Sequence, residues 1–267
     1  MIGIWHDVRL LNTLANALMA FAGLAFMGGA LGWVVERPMF MLRTVQIESV
    51  DASSGLRHMT GPALRSSPAM QWKGNFFTVD LNAVRTAFEA VPWVRRAEVR
   101  RVWPNTLRVA IEEHRPLAVW SDGRLVNTYG EPFVANVAEA AMDVELLEFS
   151  GPPGTEATVT RRWQELRAWL APLKLEPRSV ALSSRYAWSA RLDNGTTLLL
   201  GREQGMPIGD RVARWVQAYP STTDRLKRNI VAVDLRYPNG FAVHAPGGVA
   251  RPGREAGVQS AQGRQVQ

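Results

Sequence analysis

One stretch of the chain breaks every alternation of apolar and polar positions. From Leu10 to Val35 there is no Lys, Arg, Asp or Glu, and Leu, Ala, Met, Phe, Gly and Val dominate. Asn12, Thr13 and Asn16 are its conspicuous polar members; Arg9 closes it on one side, Glu36 and Arg37 on the other. As a helix its 26 residues reach about 39 Å, against the ~30 Å of a hydrocarbon core, so a tilted span fits. Trp33 near one end and Trp5 beyond the other stand where indoles settle among headgroups. The pattern therefore predicts a membrane helix over residues 10–36, a short tail over residues 1–9, and the bulk of the chain on one side of a bilayer. No polar face repeats at helical spacing, which separates the segment from a buried helix of a soluble protein. A cleaved signal is the competing reading, with Ala30-Leu31-Gly32 as its cleavage site, but signal cores span only about 7–15 residues. Arg9 on one flank and Arg37 and Arg43 on the other leave the orientation open by charge alone. Gly28 and Gly32 form a G-x-x-x-G pair that would let two helices approach, although small residues are common in membrane helices anyway.

Beyond the anchor the periods shorten. Phe40 to Ile47 reads as a strand. Thr60 is positioned to cap a short helix with Pro62 in its first turn, which Ser66-Ser67-Pro68 ends. Asp80 is a good N-cap for a helix that carries Leu81, Val84, Phe88 and Val91 on one face until Pro92 stops it. Two strands follow, Arg95 to Trp103 and Thr106 to Glu113, turned by Pro104-Asn105. In the second, Leu107, Val109 and Ile111 alternate with Arg108, Ala110 and Glu112, giving one buried and one wet face. The order strand, helix, helix, strand, strand over residues 40–113 predicts a small α+β module, helices covering one face of a three-stranded sheet.

Over residues 114–245 hairpins dominate. Leu117 to Trp120 and Arg124 to Tyr129 flank Ser121-Asp122-Gly123; Trp188 to Leu192 and Thr196 to Leu200 flank Asp193-Asn194-Gly195. After Gly151-Pro152-Pro153-Gly154, Thr155 is placed to cap a helix with Val159, Trp163, Leu166 and Leu170 on one stripe. Gly209-Asp210 opens another helix bearing Val212, Trp215, Val216 and Tyr219, which Pro220 is expected to end. Ile230 to Arg236 reads as a strand with Val231, Val233 and Leu235 on one face, turned by Tyr237-Pro238-Asn239-Gly240 into Phe241 to His244. This predicts a mostly antiparallel β-rich domain with helices laid on it. Residues 246–267 hold almost nothing to bury and are expected to be disordered.

Composition narrows the chemistry. The 267 residues contain no Cys, which excludes disulfides, thiolate catalysis and zinc–thiolate sites. A net charge of +7 carried mostly by Arg favours anionic surroundings: headgroups, acidic partners or nucleic acid. The four His (His6, His58, His114 and His244) show no metal-ligand spacing, and no nucleophile elbow, phosphate loop or dinucleotide fingerprint occurs. Glu112-Glu113 beside His114 is the nearest approach to an acid/base cluster, but successive strand residues point to opposite faces. No catalytic residue, metal or cofactor is assigned.

The run Val91-Pro92-Trp93-Val94-Arg95-Arg96-Ala97-Glu98-Val99-Arg100-Arg101-Val102-Trp103-Pro104-Asn105-Thr106-Leu107 resembles the end of a POTRA domain. Its continuation, Glu113-His114-Arg115-Pro116-Leu117-Ala118-Val119-Trp120, together with Leu200-Gly201-Arg202 and Val233-Asp234-Leu235-Arg236-Tyr237-Pro238-Asn239-Gly240, is similar to the FtsQ/DivIB family of bacterial cell-division proteins. The order of parts agrees along nearly the whole chain.

The resemblance implies a single-pass protein of the cell inner membrane with its N-terminus in the cytoplasm and its bulk in the periplasm, at the division septum. It implies a scaffold, not an enzyme, that binds FtsB and FtsL, with FtsK, FtsW and FtsI as further partners of the division machinery. In the family a partner segment adds a strand to an edge of the β domain. That role falls here on Phe241 and Val243 in the Phe241–His244 strand and on Arg236 and Tyr237 beside it, Arg236 facing a partner carboxylate. The family also has a contacting Arg before the Trp188 strand, where Arg185 and Tyr186 stand; the late aromatic of its final strand is replaced by His244-Ala245. Tyr237 could equally pack on its own hairpin. Arg96, Val99 and Arg101 fall in the POTRA strand that the family uses for recruitment. The four Arg of that strand also read as a solvated face. They would suit nucleic acid, but no stacking aromatics or groove-reading motif accompany them. A different class, a membrane-anchored cell-wall enzyme or secretion component carrying a POTRA module, is the alternative.

Overall fold

Val8–Val35 form one helix, α1, of which the 25 residues Leu11–Val35 are long and apolar enough to cross a membrane. The computed structural model describes residues 8–51, 55–59, 74–226, 229–245 and 248–250. The chain divides into two compact units, Met1–His114 and Arg115–Gln267.

In the first unit, α1 is followed by a 3₁₀ turn, Pro38–Phe40, and then by β1 (Thr44–Ser49). The strand thus starts four residues later than the apolar pattern from Phe40 predicts, because Phe40 is buried within the turn that precedes it. The helix expected from Thr60 lies outside the described residues. Helix α2 (Leu81–Glu89) starts where Asp80 predicts, its carboxylate accepting from the N–H groups of Asn82 and Ala83 at 2.8 and 3.2 Å. Strands β2 (Val94–Val102) and β3 (Thr106–Glu113) form the expected hairpin. The sheet order is β1-β3-β2, with β1 parallel and β2 antiparallel to β3. Leu107, Val109 and Ile111 of the central strand are fully buried beneath Val84 and Phe88 of α2.

Glu112 and Glu113 do diverge, and each has a structural task. Glu112 pairs with Arg95 at 2.7 Å. Glu113 accepts from three consecutive backbone N–H groups, those of Arg57, His58 and Met59, at 2.9, 3.2 and 2.9 Å. A carboxylate gripping three N–H donors is a charge-assisted clasp between β3 and the incoming chain. Glu113→Ala is expected to cost this unit about 2 kcal/mol, read as a lowered denaturation midpoint of the full chain, with Glu113→Gln losing less.

The second unit is built on a ten-stranded sheet of order β13-β12-β11-β10-β9-β8-β7-β4-β5-β6. Its strands are β4 (Pro116–Trp120), β5 (Leu125–Asn127), β6 (Pro132–Phe133), β7 (Leu147–Ser150), β8 (Pro177–Leu182), β9 (Trp188–Leu192), β10 (Thr197–Gly201), β11 (Ala232–Asp234), β12 (Ala242–Ala245) and β13 (Gly248–Ala250). Both predicted hairpins are present, and the sheet is mostly antiparallel; β4–β7, β7–β8 and β10–β11 are parallel. After a short helix, α3 (Val137–Asp143), the longer α4 (Glu156–Leu170) and α5 (Ile208–Leu226) pack on the sheet. Val159, Leu166 and Leu170 of α4 and Ile208, Val212 and Trp215 of α5 are fully buried.

Three local expectations are corrected. Thr155 stands at the N-cap of α4, but its hydroxyl donates to the Pro152 carbonyl at 2.6 Å instead of capping the helix. Pro220 lies inside α5, which runs on to Leu226. Beyond the proline, the hydroxyls of Ser221, Thr222 and Thr223 donate to carbonyls of Ala218 and Tyr219, which suits a turn that has lost a ladder N–H. Val231 is 53% exposed while Ile230 is buried, because the regular alternation of β11 begins only at Ala232.

Candidate functional site

The residues singled out in the second unit meet at one end of its sheet. The register pairs Leu182 with Trp188, Trp188 with Gly201, Leu199 with Asp234 and Asp234 with Ala242. The β8–β9 turn, the end of β10 and the β11–β12 loop therefore share a rim. Three strand spacings of ~4.8 Å put the two turns about 14 Å apart. Arg185 and Tyr186 occupy the first turn, Arg202 follows β10, and Arg236 and Tyr237 occupy the loop.

The turn at Tyr186 is held by bonds from Tyr186 N to Ser183 O at 2.9 Å and from Ala187 N to Ser183 Oγ at 3.0 Å. Tyr186 takes φ +58°, a left-handed conformation that is costly for a residue with a side chain, and its ring is 63% exposed. Arg236 is engaged by a carboxylate of its own chain. Its backbone N–H and Nε donate to Asp234 Oδ1 at 3.0 and 2.8 Å, and its Nη2 to Oδ2 at 2.6 Å. This guanidinium holds the Asp234 carboxyl below the usual carboxylate range, and Asp234 in turn raises the Arg236 pKa. The Arg236 stem lies over Gly201, where a Cβ would stand 2.8 Å from its Cγ; with φ +73°, that position calls for glycine twice over. The Arg236 guanidinium is thus held in place by Asp234 and is still more than half exposed. Tyr237 next to it is 53% exposed.

Two arginines that the sequence pattern does not single out build this rim. Arg211 of α5 is buried, and its Nη1 and Nη2 donate to the carbonyls of Leu200 and Arg202, each at 2.6 Å, fixing the end of β10. Burial lowers its pKa. Arg214 donates to the Pro238 carbonyl at 2.8 Å and so ties α5 to the β11–β12 loop. Arg211 shares the helix phase of Ile208, Val212 and Trp215, and a cation on an apolar stripe was the signal.

The edge itself differs from expectation. His244 O accepts from Val231 N at 2.8 Å, so the polar groups of His244 face β11 and those of Val243 and Ala245 face the other way. On that side stands β13, paired Val243 with Ala250 and Ala245 with Gly248. Phe241–His244 is therefore not the outermost strand; the chain places its own Gly248–Ala250 there, within the stretch expected to be disordered. Val243 is 1% exposed and Phe241 packs against the core, so these two offer backbone and support, and only limited side-chain surface. At the opposite edge, β6 is two residues long and begins with Pro132, which blunts it.

In the first unit, β2 is an edge strand. Arg96 is exposed on it, and Val99 packs against the core. Arg101 is drawn inward: its Nη2 donates to Val79 O at 2.7 Å and Phe77 O at 3.4 Å. The residue itself stays exposed, so it is a solvated arginine with its guanidinium tied to the loop that precedes α2. Among the described residues, no three His, Asp or Glu side chains are placed to hold a metal ion.

An α+β module with one apolar helix ahead of it, followed by a larger sheet whose exposed chemistry is arginine, tyrosine and strand edge, defines a POTRA-bearing protein built for contacts. Comparison with known families agrees. Residues 46–114 match the model of the POTRA domain, FtsQ-type, and residues 118–236 match that of cell division protein FtsQ/DivIB, C-terminal. Cell division protein FtsQ of Bordetella pertussis is 44% identical over 253 residues, covering 90% of this chain and 92% of that protein. Its counterpart in Burkholderia pseudomallei is 44% identical over 245 residues, covering 91% and 95%; that of Neisseria gonorrhoeae is 30% identical over 247 residues, covering 92% and 97%. The chain belongs to the FtsQ family of cell-division proteins, and its role lies in cell division.

Proposed function

We propose that this chain is a non-enzymatic scaffold of the division septum. Helix α1 anchors it in the inner membrane with the N-terminus in the cytoplasm, and both units stand in the periplasm. Its β domain binds FtsB and FtsL, and the assembly links early and late division proteins, FtsK, FtsW and FtsI among them. The observation that carries this reading is the rim: Arg185, Tyr186, Arg202, Arg236 and Tyr237 flank the sheet end from which β12 runs. A cationic, aromatic border beside a strand edge suits an acidic segment that adds a strand, with backbone bonds giving affinity and Arg236 and the tyrosines giving register. The exposed β2 edge with Arg96 is the recruitment surface of the POTRA module, and Arg101 supports it from behind.

The added strand pairs with Val243 and Ala245, and to do so it displaces β13. Three residues make a weak strand. Displacing it costs about 1–2 kcal/mol. The test is binding of the periplasmic segments of FtsB and FtsL to the full chain and to a chain ending at Ala245. The shorter chain is expected to bind about tenfold tighter. Equal affinity would mean β13 does not compete, weaker binding by the shorter chain would mean the partner builds on β13, and no binding by either would overturn the scaffold reading.

A further inference from the structure

Three segments converge where α1 ends. Asn75 Nδ2 donates to the Val35 carbonyl at 2.8 Å, in the last turn of α1. Phe76 N donates to Phe40 O at 2.8 Å, and Arg43 N to Asn105 O at 3.1 Å, which brings in the β2–β3 turn. The Asn75 turn is itself rigid: its Oδ1 accepts from the N–H groups of Phe77 and Thr78 at 2.9 and 3.0 Å, and Arg101 grips the Val79 carbonyl.

What these segments display is apolar. Phe40, Phe76, Phe77 and Trp103 form one aromatic cluster, with ring centroids 5.0 Å apart for Phe40–Phe77 and 5.8 Å for Phe76–Trp103. Phe40 is buried, but Trp103 is 65% and Phe77 47% exposed, and Met39 and Met41 beside them are exposed as well. None of these four exposed side chains joins the hydrophobic core of the unit, so folding of the module does not account for them. Arg43 stands exposed among them, and the Arg37 guanidinium lies over the Trp33 ring, 3.4 Å from its centroid.

The geometry points to a second membrane contact: Met39, Met41, Phe77 and Trp103 at the base of the POTRA module sit in the headgroup layer of the leaflet from which α1 emerges. This rests on the reading that α1 spans the bilayer. Position selects lipid as the occupant, because the patch is continuous with the end of the span. One hydrogen bond separates Asn75 from the last turn of α1, so Phe76 and Phe77 fall within about 10 Å of the helix end. The headgroup layer is about 5–8 Å deep on each side of the hydrocarbon. Tryptophan and phenylalanine with arginine alongside are what that layer accepts, ring in the boundary and cation at the phosphates. The clasped turn would then hold the module against the leaflet instead of letting it swing on a tether.

The chain has no Cys, so one introduced thiol gives one label. Nitroxides at Leu24→Cys in mid-helix, at Met41→Cys in the patch and at Val50→Cys, just past the far end of β1, report depth in the full chain reconstituted in nanodiscs containing anionic lipid. Leu24, Met41 and Val50 are all exposed, so none of the three labels disturbs a core. The expected result is a preference for oxygen over a water-soluble nickel complex that is strongest at position 24, intermediate at 41 and reversed at 50, and a shift of position 41 to the pattern of 50 when Phe77 and Trp103 are changed to Ser. Lipid contact at 24 with the water pattern at 41 overturns the inference and leaves the anchor intact. Shielding of 41 from both reagents overturns it in favour of a protein neighbour. A water pattern at 24 overturns the inference together with the anchor.

Discussion

Tyr237→Ala is expected to weaken binding of the FtsB periplasmic segment to the full chain about 30-fold while leaving the melting temperature within about 2 °C of the parent. An exposed tyrosine at the centre of an interface contributes roughly 2 kcal/mol when its ring is covered, and every 1.4 kcal/mol is tenfold. Tyr237 is more than half exposed in the free chain, so truncating it removes little that the fold uses. Its neighbour is a less clean probe. Arg236→Glu would set a second carboxylate against Asp234, where the guanidinium now makes its two-pronged contact. Lost binding in that variant mixes recognition with local stability. Titration calorimetry on Tyr237→Ala separates the two: unchanged affinity with an intact fold would remove Tyr237 from the interface and restore the reading that it packs on its own hairpin.

Trp215→Ala is expected to cost the second unit about 3–5 kcal/mol, the range for deleting a buried large aromatic. Trp215 is fully buried on α5, faces the sheet beside Ile208 and Val212, and meets the Tyr219 ring edge-to-face at 5.2 Å. Its Nε1 has no hydrogen-bond partner among the described residues, so the site already bears one unsatisfied donor and its removal offsets part of the loss. For a unit of this size the expected change is a fall of about 10 °C in its melting transition. The first unit has a core of its own around Phe88 and Leu107, so its transition is expected to stay in place. Scanning calorimetry of the full chain reads both. A single transition shifting as a whole would show that the two units unfold together.

Much of the architecture was legible in the chain because it follows from local rules. The charge-free run from Leu10 to Val35 could only be a long apolar helix. Asp80 ahead of an apolar stripe gave α2 its start to the residue. The alternation Leu107, Val109, Ile111 marked β3 as a strand with one buried face, since a period of two reports which face is covered. The order of modules and the family blocks followed from the same segments. Periodicity, however, says which side of an element is covered and nothing about which neighbour covers it.

That limit explains each departure. Phe241–His244 looks last in line along the chain; the pairing of Gly248–Ala250 across it, and the burial of the Val243 side chain, depend on the assembled sheet. Arg101 reads like its solvated neighbours and stays exposed, but the Asn75 loop folds against it and supplies the Phe77 and Val79 carbonyls to its guanidinium. Glu113 resembles a strand-end charge until Arg57, His58 and Met59, more than fifty positions away, turn their N–H groups toward it. Pro220 would end an isolated helix, but packing of α5 and the hydroxyls that follow the proline carry it through. The sequence by itself determined where helices and strands form and which face each buries, because those are properties of neighbours along the chain. The tertiary structure alone decided which arginines are committed inside and which strand edge is covered, because those hydrogen bonds join residues that only folding brings within 3 Å.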